Sequence, residues 1–291
     1  MLKIVITVYR LINFVIIITL LALHFFIKDR TYDTSIWFYL FPLPIIILII
    51  VALSIFLGKK RKYNLIIAAI LLSVWLFRSF RISFPKDIKE TDVEVVFWNA
   101  SRDNDFDIAI TENNNSMPDV LVLTETTNVD FQNLQLKHPN IYLYKSKREL
   151  EIFSKAPIQI LSEETSTYKT TVIHFKTADI EFYAVDVSGS FDVPRAWELK
   201  YVNSIIKKKN NTIILGDFNV PYESLLLKEI KKNYNHFFSK KGNGFRETWF
   251  WNLPILSLDH IWVSKDLEVI NSKKINSKNS DHSMIKTVIR K

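Results

Sequence analysis

The stretch Thr212-Ile213-Ile214-Leu215-Gly216-Asp217-Phe218-Asn219 decides the fold class, because an apolar, β-branched run stops abruptly at polar residues. Such a run is too short for a buried helix and reads as a buried strand. Its polar end is the kind of rim a rigid sheet presents to a ligand. Eight further runs share this character: Val93 to Trp98, Asp119 to Thr124, Ile141 to Tyr144, Glu151 to Ser154, Thr170 to Phe175, Ile180 to Asp186, Ser257 to Val263 and Ser283 to Ile289. Helical patterns fall at Asp105 to Asn113, Arg195 to Lys208 and Ser224 to Asn233. Strands alternating with few helices predict an α/β layered domain with mixed sheets over residues 92–291.

Polar residues recur at the predicted strand ends. Trp98-Asn99 ends the first strand, Thr124-Glu125 the second, and Asp217-Phe218-Asn219 the strand from Thr212. Asp259-His260 lies on the strand from Ser257, and Ser280-Asp281-His282 precedes the last strand. Carboxylates, carboxamides and a histidine without cysteine suit a hard divalent cation and a phosphate ester. The chain has no cysteine, which removes disulfides and thiolate chemistry, and its 5 glycines argue against a glycine-rich phosphate loop.

In order and approximate spacing, Asn99, Glu125 after Pro118 to Thr124, Gly216-Asp217-Phe218-Asn219, Leu258-Asp259-His260-Ile261 and Ser280-Asp281-His282 resemble the endonuclease/exonuclease/phosphatase superfamily. Phe153 to Ile158 and the helix from Arg195 are minor matches. The resemblance implies a four-layer α/β sandwich, two mixed β-sheets flanked by helices. It also implies hydrolysis of a phosphodiester or phosphomonoester by direct water attack, with Mg²⁺ (or Mn²⁺) as cofactor. Glu125 would be the principal metal ligand, with Asn99 beside it and Asp281 near the cation. Asp217 would orient or deprotonate the water, or assist the leaving oxygen, and Asn219 would bond a phosphate oxygen. His282 would contact the phosphate or act as general acid/base, its tautomer fixed by Asp259.

Asp186, Arg195 and Arg246 are further substrate-side candidates. Asp186 is a departure, because the family usually has a histidine there that donates to phosphate, and a carboxylate repels that group unless protonated or cation-bound. Taken singly, Asn99 also reads as a turn cap, Glu125 as a solvated strand end and Asp217-Phe218-Asn219 as turn residues. His260 reads as structural, and His24, His138, His174 and His236 as incidental. Lys207-Lys208-Lys209 reads as a solvated helix end, and Phe245 to Trp251 as core or pocket wall.

The first 84 residues differ in kind. Three apolar stretches, at about residues 8–27, 35–57 and 63–83, read as a bundle of three transmembrane helices that anchors the chain in a bilayer. Lys59-Lys60-Arg61-Lys62 is the densest basic run and should be cytoplasmic. Three spans then place the catalytic domain outside the cytoplasm, as a multi-pass membrane protein. If the last stretch only lies on the surface, the domain is cytoplasmic.

Charge bears on the substrate. The chain carries 38 Lys plus Arg against 30 Asp plus Glu, a formal net charge of +8. Residues 1–90 hold 12 of those bases and 4 of those acids, so the whole excess is N-terminal and the remainder is neutral. A long polyanion needs a cationic surface, which favours a lipid head group or a small phosphoester over DNA or RNA. An extracytoplasmic nuclease, and a catalytically impaired relative that binds a phosphorylated ligand or partner, stay open as alternatives. No protein partner is expected.

Overall fold

The computed structural model describes residues 2–84, 86–127 and 131–291. The chain divides into two compact units, Met1–Phe80 and Arg81–Lys291.

The first unit is helical: α1 (Leu2–Ala22), α2 (Tyr32–Leu40), α3 (Leu43–Ser54) and α4 (Arg61–Ser79). A π-helical segment, Leu23–Ile27, extends α1. Its packed interior includes Ile17, Leu20, Leu43, Ile46, Ile50, Ala68 and Leu71, while Asn13 and Asn64 hydrogen-bond each other between α1 and α4. Among the described residues two helical runs are long and apolar enough to cross a membrane, Lys3–Ile27 and Leu43–Ser79. This differs from the three expected spans because the 35–57 stretch is broken at two places, inside it and at its end, leaving α3 with 12 residues, too short to cross by itself. The 35–57 stretch is interrupted at Phe41-Pro42, whose extended Pro42 starts α3 as its N-cap. At Gly58 the backbone turns non-helical (φ 55°, ψ −129°), so Leu43–Ser79 is two helices across a kink.

The second unit has two six-stranded sheets. In chain order the strands are β1 (Val93–Asn99), β2 (Val120–Thr124), β3 (Tyr142–Lys145), β4 (Leu150–Ser154), β5 (Gln159–Thr165) and β6 (Thr171–Thr177). They continue as β7 (Ile180–Asp186), β8 (Thr212–Asp217), β9 (Tyr234–His236), β10 (Asp259–Ser264), β11 (Glu268–Ile275) and β12 (Met284–Arg290). One sheet has the order β11-β12-β1-β2-β4-β3, the other β9-β10-β8-β7-β6-β5. Each is mixed: β1 and β2 run parallel, as do β7 and β8, and the other pairings are antiparallel. The predicted α/β sandwich of two mixed sheets is therefore the observed fold. Helices α5 (Phe106–Glu112), α6 (Phe131–Lys137), α7 (Arg195–Ile205), α8 (Lys228–Asn233) and α9 (Phe237–Lys241) complete the layers.

The two-residue period of a strand explains where the site forms. In β1, Val95 and Phe97 face the core between the sheets, while Val96 and Trp98 face the helix layer with Phe106 and Ala109. One more step places Asn99 on the inter-sheet side. By the same alternation Ile213 and Leu215 of β8 carry Asp217 inward, and Val263 and Ile261 of β10 carry Asp259 inward. Three polar side chains thus cap one end of an apolar core. The core residues of this sandwich all come from residues 93–289, so the unit carries its own stabilising interior.

Candidate active site

Gly216 lets the strand that ends in Asp217 lie tightly beside β7. Its φ is +151°, and a Cβ there would sit 1.8 Å from the Val185 carbonyl oxygen. No side chain fits, so the glycine of the Gly216-Asp217-Phe218-Asn219 motif is a packing requirement. Asp217 is opposite Asp186 on β7 and opposite Asp259 on β10.

Asn99 joins the sheets. Its Nδ2 donates to Asp217 Oδ2 at 3.1 Å, while its Oδ1 accepts from the Ser101 amide at 3.0 Å. The other Asp217 oxygen, Oδ1, accepts from the Asn219 amide at 2.8 Å. His282 Nδ1 lies 2.9 Å from Asp259 Oδ2. Ligand atoms of Asp217, Asp259 and His282 all fall within 4.8 Å of one another, and all three residues are buried. Burial, then the neighbouring Asp259 charge, raise Asp217 to about 7. Burial opposes charge on His282, but contact with Asp259 outweighs it and raises the imidazole to about 10.

Glu125 follows β2, whose Thr124 is opposite Asn99. Its backbone is left-handed at φ 52°, as are Ser101 (52°), Arg102 (63°) and Asn219 (50°). Four non-glycine residues in this sparsely populated region lie at one rim, the pattern of a site whose surroundings hold it in shape. The Glu125 carboxylate is 3.3 Å from the Arg102 guanidinium, which also meets Glu149 at 3.3 Å. Glu125 and Asp186 line a cleft of about 630 Å³ whose other walls include Arg102, Arg148, Lys169 and Ser188 to Ser190. Asp186 is raised well above the ordinary carboxylate value, first by burial and then by Asp217 and Glu125.

The donor set fits a hard divalent cation. Glu125, Asn99 and the aspartates offer oxygens, and Asp259 Oδ1 is buried without a hydrogen-bond partner. Asp281 is differently employed: Ser101 Oγ bonds its Oδ1, and Trp249 Nε1 donates to its Oδ2 at 2.8 Å.

Two substrate-side expectations need correction. Arg246 is buried, 4% exposed, and pairs with Glu223 and, at 3.7 Å, with Glu247, so it is withdrawn from the cleft rather than aimed at a phosphate. Arg195 donates to the carbonyls of Ser190 (2.7 Å) and Asn219 (3.2 Å), which makes it a positioning residue for the two loops at the cleft. Asn219 itself reaches back through Nδ2 to the Val187 carbonyl at 2.7 Å.

The histidines outside the site have defined surroundings. His236 is not incidental, because its Nε2 lies 3.1 Å from His260 Nδ1 in a buried aromatic cluster with Tyr222 and Trp262. His260 is structural, with Nε2 against the Val220 carbonyl at 3.1 Å. His174 stacks on Tyr183, and His138 sits 3.4 Å from Asp107. Helix α7 ends at Ile205, before Lys207, and Lys209 pairs with Glu181 at 3.1 Å.

Sequence reasoning missed a layer of hydroxyls. Ser280 Oγ bonds the Asn99 carbonyl (2.8 Å) and accepts from the His282 amide (3.0 Å), and Ser101 Oγ lies 2.9 Å from it. Thr248 Oγ1 accepts from the amides of Leu258 and Asp259 at 3.1 and 3.2 Å. The Ser280-Asp281-His282 triplet was the available signal for Ser280; nothing local marks Thr248.

Comparisons with known proteins agree with this architecture. A humanized form of D. rerio TDP2 is similar at 12% identity with a TM-score of 0.52, covering 69% of this chain and 100% of that one. An endonuclease/exonuclease/phosphatase family protein from Bacteroides thetaiotaomicron gives 16% identity and 0.53, covering 69% and 98%. The mannosyl-6-phosphatase of Bacteroides thetaiotaomicron VPI-5482 gives 15% and 0.53, covering 68% and 100%. At these identities the likeness is one of fold. No curated protein matches the sequence. The profile of the Endonuclease/Exonuclease/phosphatase family matches residues 96–282, and the chain belongs to that family of metal-dependent phosphoester hydrolases.

Proposed function

We propose that this chain is a membrane-anchored, Mg²⁺-dependent phosphoesterase that hydrolyses a phosphodiester or phosphomonoester by direct attack of water on phosphorus. The observation that carries the reading is the junction of the two sheets, where Asn99, Asp217, Asp259 and His282 converge beside the cleft that holds Glu125.

Each residue has a role that follows from its placement. Asp217 orients the water and takes its proton, held by Asn99 and by the Asn219 amide. His282, locked by Asp259 through Nδ1, turns Nε2 to the phosphate and offers positive charge where the transition state gathers negative charge. Glu125 and Asn99 would hold the cation, whose charge neutralises the phosphoryl oxygens when it is bound. No side chain here needs to become covalently attached to phosphorus. Asp186, raised by burial and its acidic neighbours, favours the protonated form and can donate to a phosphate oxygen where the family's histidine would.

The apolar helices supply the anchor. α4 spans 19 residues, about 28 Å of helix, and its charge-free stretch from Tyr63 to Phe77 covers about 22 Å of that, with Arg61, Lys62 and Arg78 reaching the two interfaces. With Lys59 to Lys62 on the cytoplasmic side, α4 carries the chain across whatever the number of spans before it. The catalytic unit then faces away from the cytoplasm.

A neutral catalytic unit favours a lipid head group or a small phosphoester. The test is a substrate profile of the full chain in detergent, with and without Mg²⁺, across a generic phosphodiester, a phosphomonoester, phospholipids and DNA. Mg²⁺-dependent turnover of lipid or small substrates supports the reading. Preference for DNA would replace it with a nuclease, and no turnover on any substrate would replace it with a binding protein. A cytoplasm-dependent reporter fused after Lys291 should be silent.

A further inference from the structure

The segment that leads into the catalytic unit is clipped to it. Ser83 and Asn243 exchange two hydrogen bonds, amide to Oδ1 and Nδ2 to carbonyl, both at 2.8 Å. Ser83 Oγ adds a third to the Gly242 carbonyl at 2.9 Å, and Lys241 Nζ reaches the Phe84 carbonyl at 3.0 Å. Gly242 is required here, since a Cβ would lie 2.6 Å from the Phe238 carbonyl oxygen. The clip leaves two large apolar side chains in solvent, Ile82 at 76% and Phe84 at 84% exposure.

Beside the clip lies a shallow cleft of about 370 Å³ walled by Lys86, Lys240, Lys241, Lys265, Asp266 and Glu268. Lys86 is neutralised by Glu268, and Asp266 accepts the Asn211 amide at 2.7 Å. Lys241 and Lys265 donate to the carbonyl oxygens of Phe84 and Lys232; Lys241 also lies within electrostatic reach of Glu268, but among the described residues neither they nor Lys240 form a direct ion pair. A local excess of positive charge thus stands next to exposed apolar residues on a unit whose residues 91–291 sum to zero net charge.

We propose that this face, with Lys240, Lys241 and Lys265 as cationic contacts and Ile82 and Phe84 as apolar anchors, seats on the anionic surface of a phospholipid bilayer. The pairing of lysine head groups with apolar side chains is what the boundary between head groups and acyl chains accepts. Chain connectivity favours this partner over others. Arg81 follows directly on the apolar helical unit, and Ser83 is only three residues beyond Phe80, a reach of about 10 Å. The inference rests on the membrane reading above and adds to it a second, electrostatic contact made by the catalytic unit.

Because the chain lacks cysteine, Phe84→Cys gives a unique site for an environment-sensitive dye in the full chain. Tyr142→Cys, 48% exposed on edge strand β3, is the control. Each labelled protein is placed in vesicles of phosphatidylcholine, with or without phosphatidylglycerol, and floated. The dye at position 84 should be blue-shifted and quenched by a lipid-borne quencher several-fold more than the control when phosphatidylglycerol is present. High salt, or Lys240→Glu with Lys241→Glu and Lys265→Glu, should remove most of that difference. A chain that floats while position 84 stays as wet as position 142 in both lipids overturns the proposal alone. A chain that does not float overturns the membrane reading, and this proposal with it.

Discussion

Asn99, the last residue of β1, donates a 3.1 Å hydrogen bond to Asp217, the last residue of β8, and so ties the two sheets together at the site. The bond requires an amide on one side. Asn99→Asp would set two carboxylates at that distance in a buried place, so it should destabilise the unit more than Asn99→Ala does. Mg²⁺ should raise the melting temperature of Asn99→Asp more than that of the wild type, because a cation held there offsets the repulsion. Calorimetry with and without Mg²⁺ checks this, and an equal response in both proteins would argue against a cation beside Asn99.

His282 and Asp259 should behave as one unit. Either His282→Ala or Asp259→Asn is expected to lower kcat by on the order of 10²-fold or more. The double variant should be little worse than the worse single one, since removing either partner disables the same group. Steady-state kinetics on a generic phosphodiester reads this directly, and fully multiplicative losses would show that the residues act separately.

Gly216→Ala tests the packing reason for the glycine in its motif. The 1.8 Å approach to Val185 cannot be relieved by turning a side chain, because the obstacle is backbone. A loss of at least about 3 kcal/mol is expected in a denaturant titration. A stability near wild type would mean that β7 and β8 can separate at this point.

Acid sensitivity should have a definite contributor away from the site. Arg290 grips Asp92 with two hydrogen bonds of 2.7 Å, chiefly for which the Asp92 carboxyl lies below its ordinary value. A depressed carboxylate stabilises the fold above its unfolded pKa, and that contribution is lost as pH falls through the folded value. Asp92→Asn should therefore lower Tm by a few degrees at neutral pH and make little difference well below the carboxylate range. A Tm gap that stays constant with pH would assign the effect to packing.

Much of this architecture is legible in the sequence because strands and site share one signal. A run such as Thr212 to Leu215 that ends in Gly216-Asp217 shows both a buried strand and the rim it delivers. What escaped has physical causes. β5 and β11 alternate with Ser, Glu and Lys, so their apolar content is too thin to mark them. Arg246 looked available because sequence does not show that Glu223 and Glu247 would fold onto it. Thr248 serves Asp259 from eleven residues away through a loop with no regular period, and Asp281 gives its oxygens to Ser101 and Trp249 by a route no spacing reveals. In the helical unit hydropathy alone could not place the interruptions at Phe41-Pro42 and Gly58.

The central claim is that Glu125 and the junction around Asp217 and His282 make a cation-dependent phosphoesterase. Its most direct measurement is hydrolysis of a generic phosphodiester by the full chain, titrated with Mg²⁺ after chelation, for the wild type and for Glu125→Gln. The account predicts no turnover in chelator, saturable recovery in the wild type, and for Glu125→Gln a recovery that is lost or needs far more Mg²⁺. Turnover that survives chelation, or a Glu125→Gln curve that overlays the wild type, would contradict it.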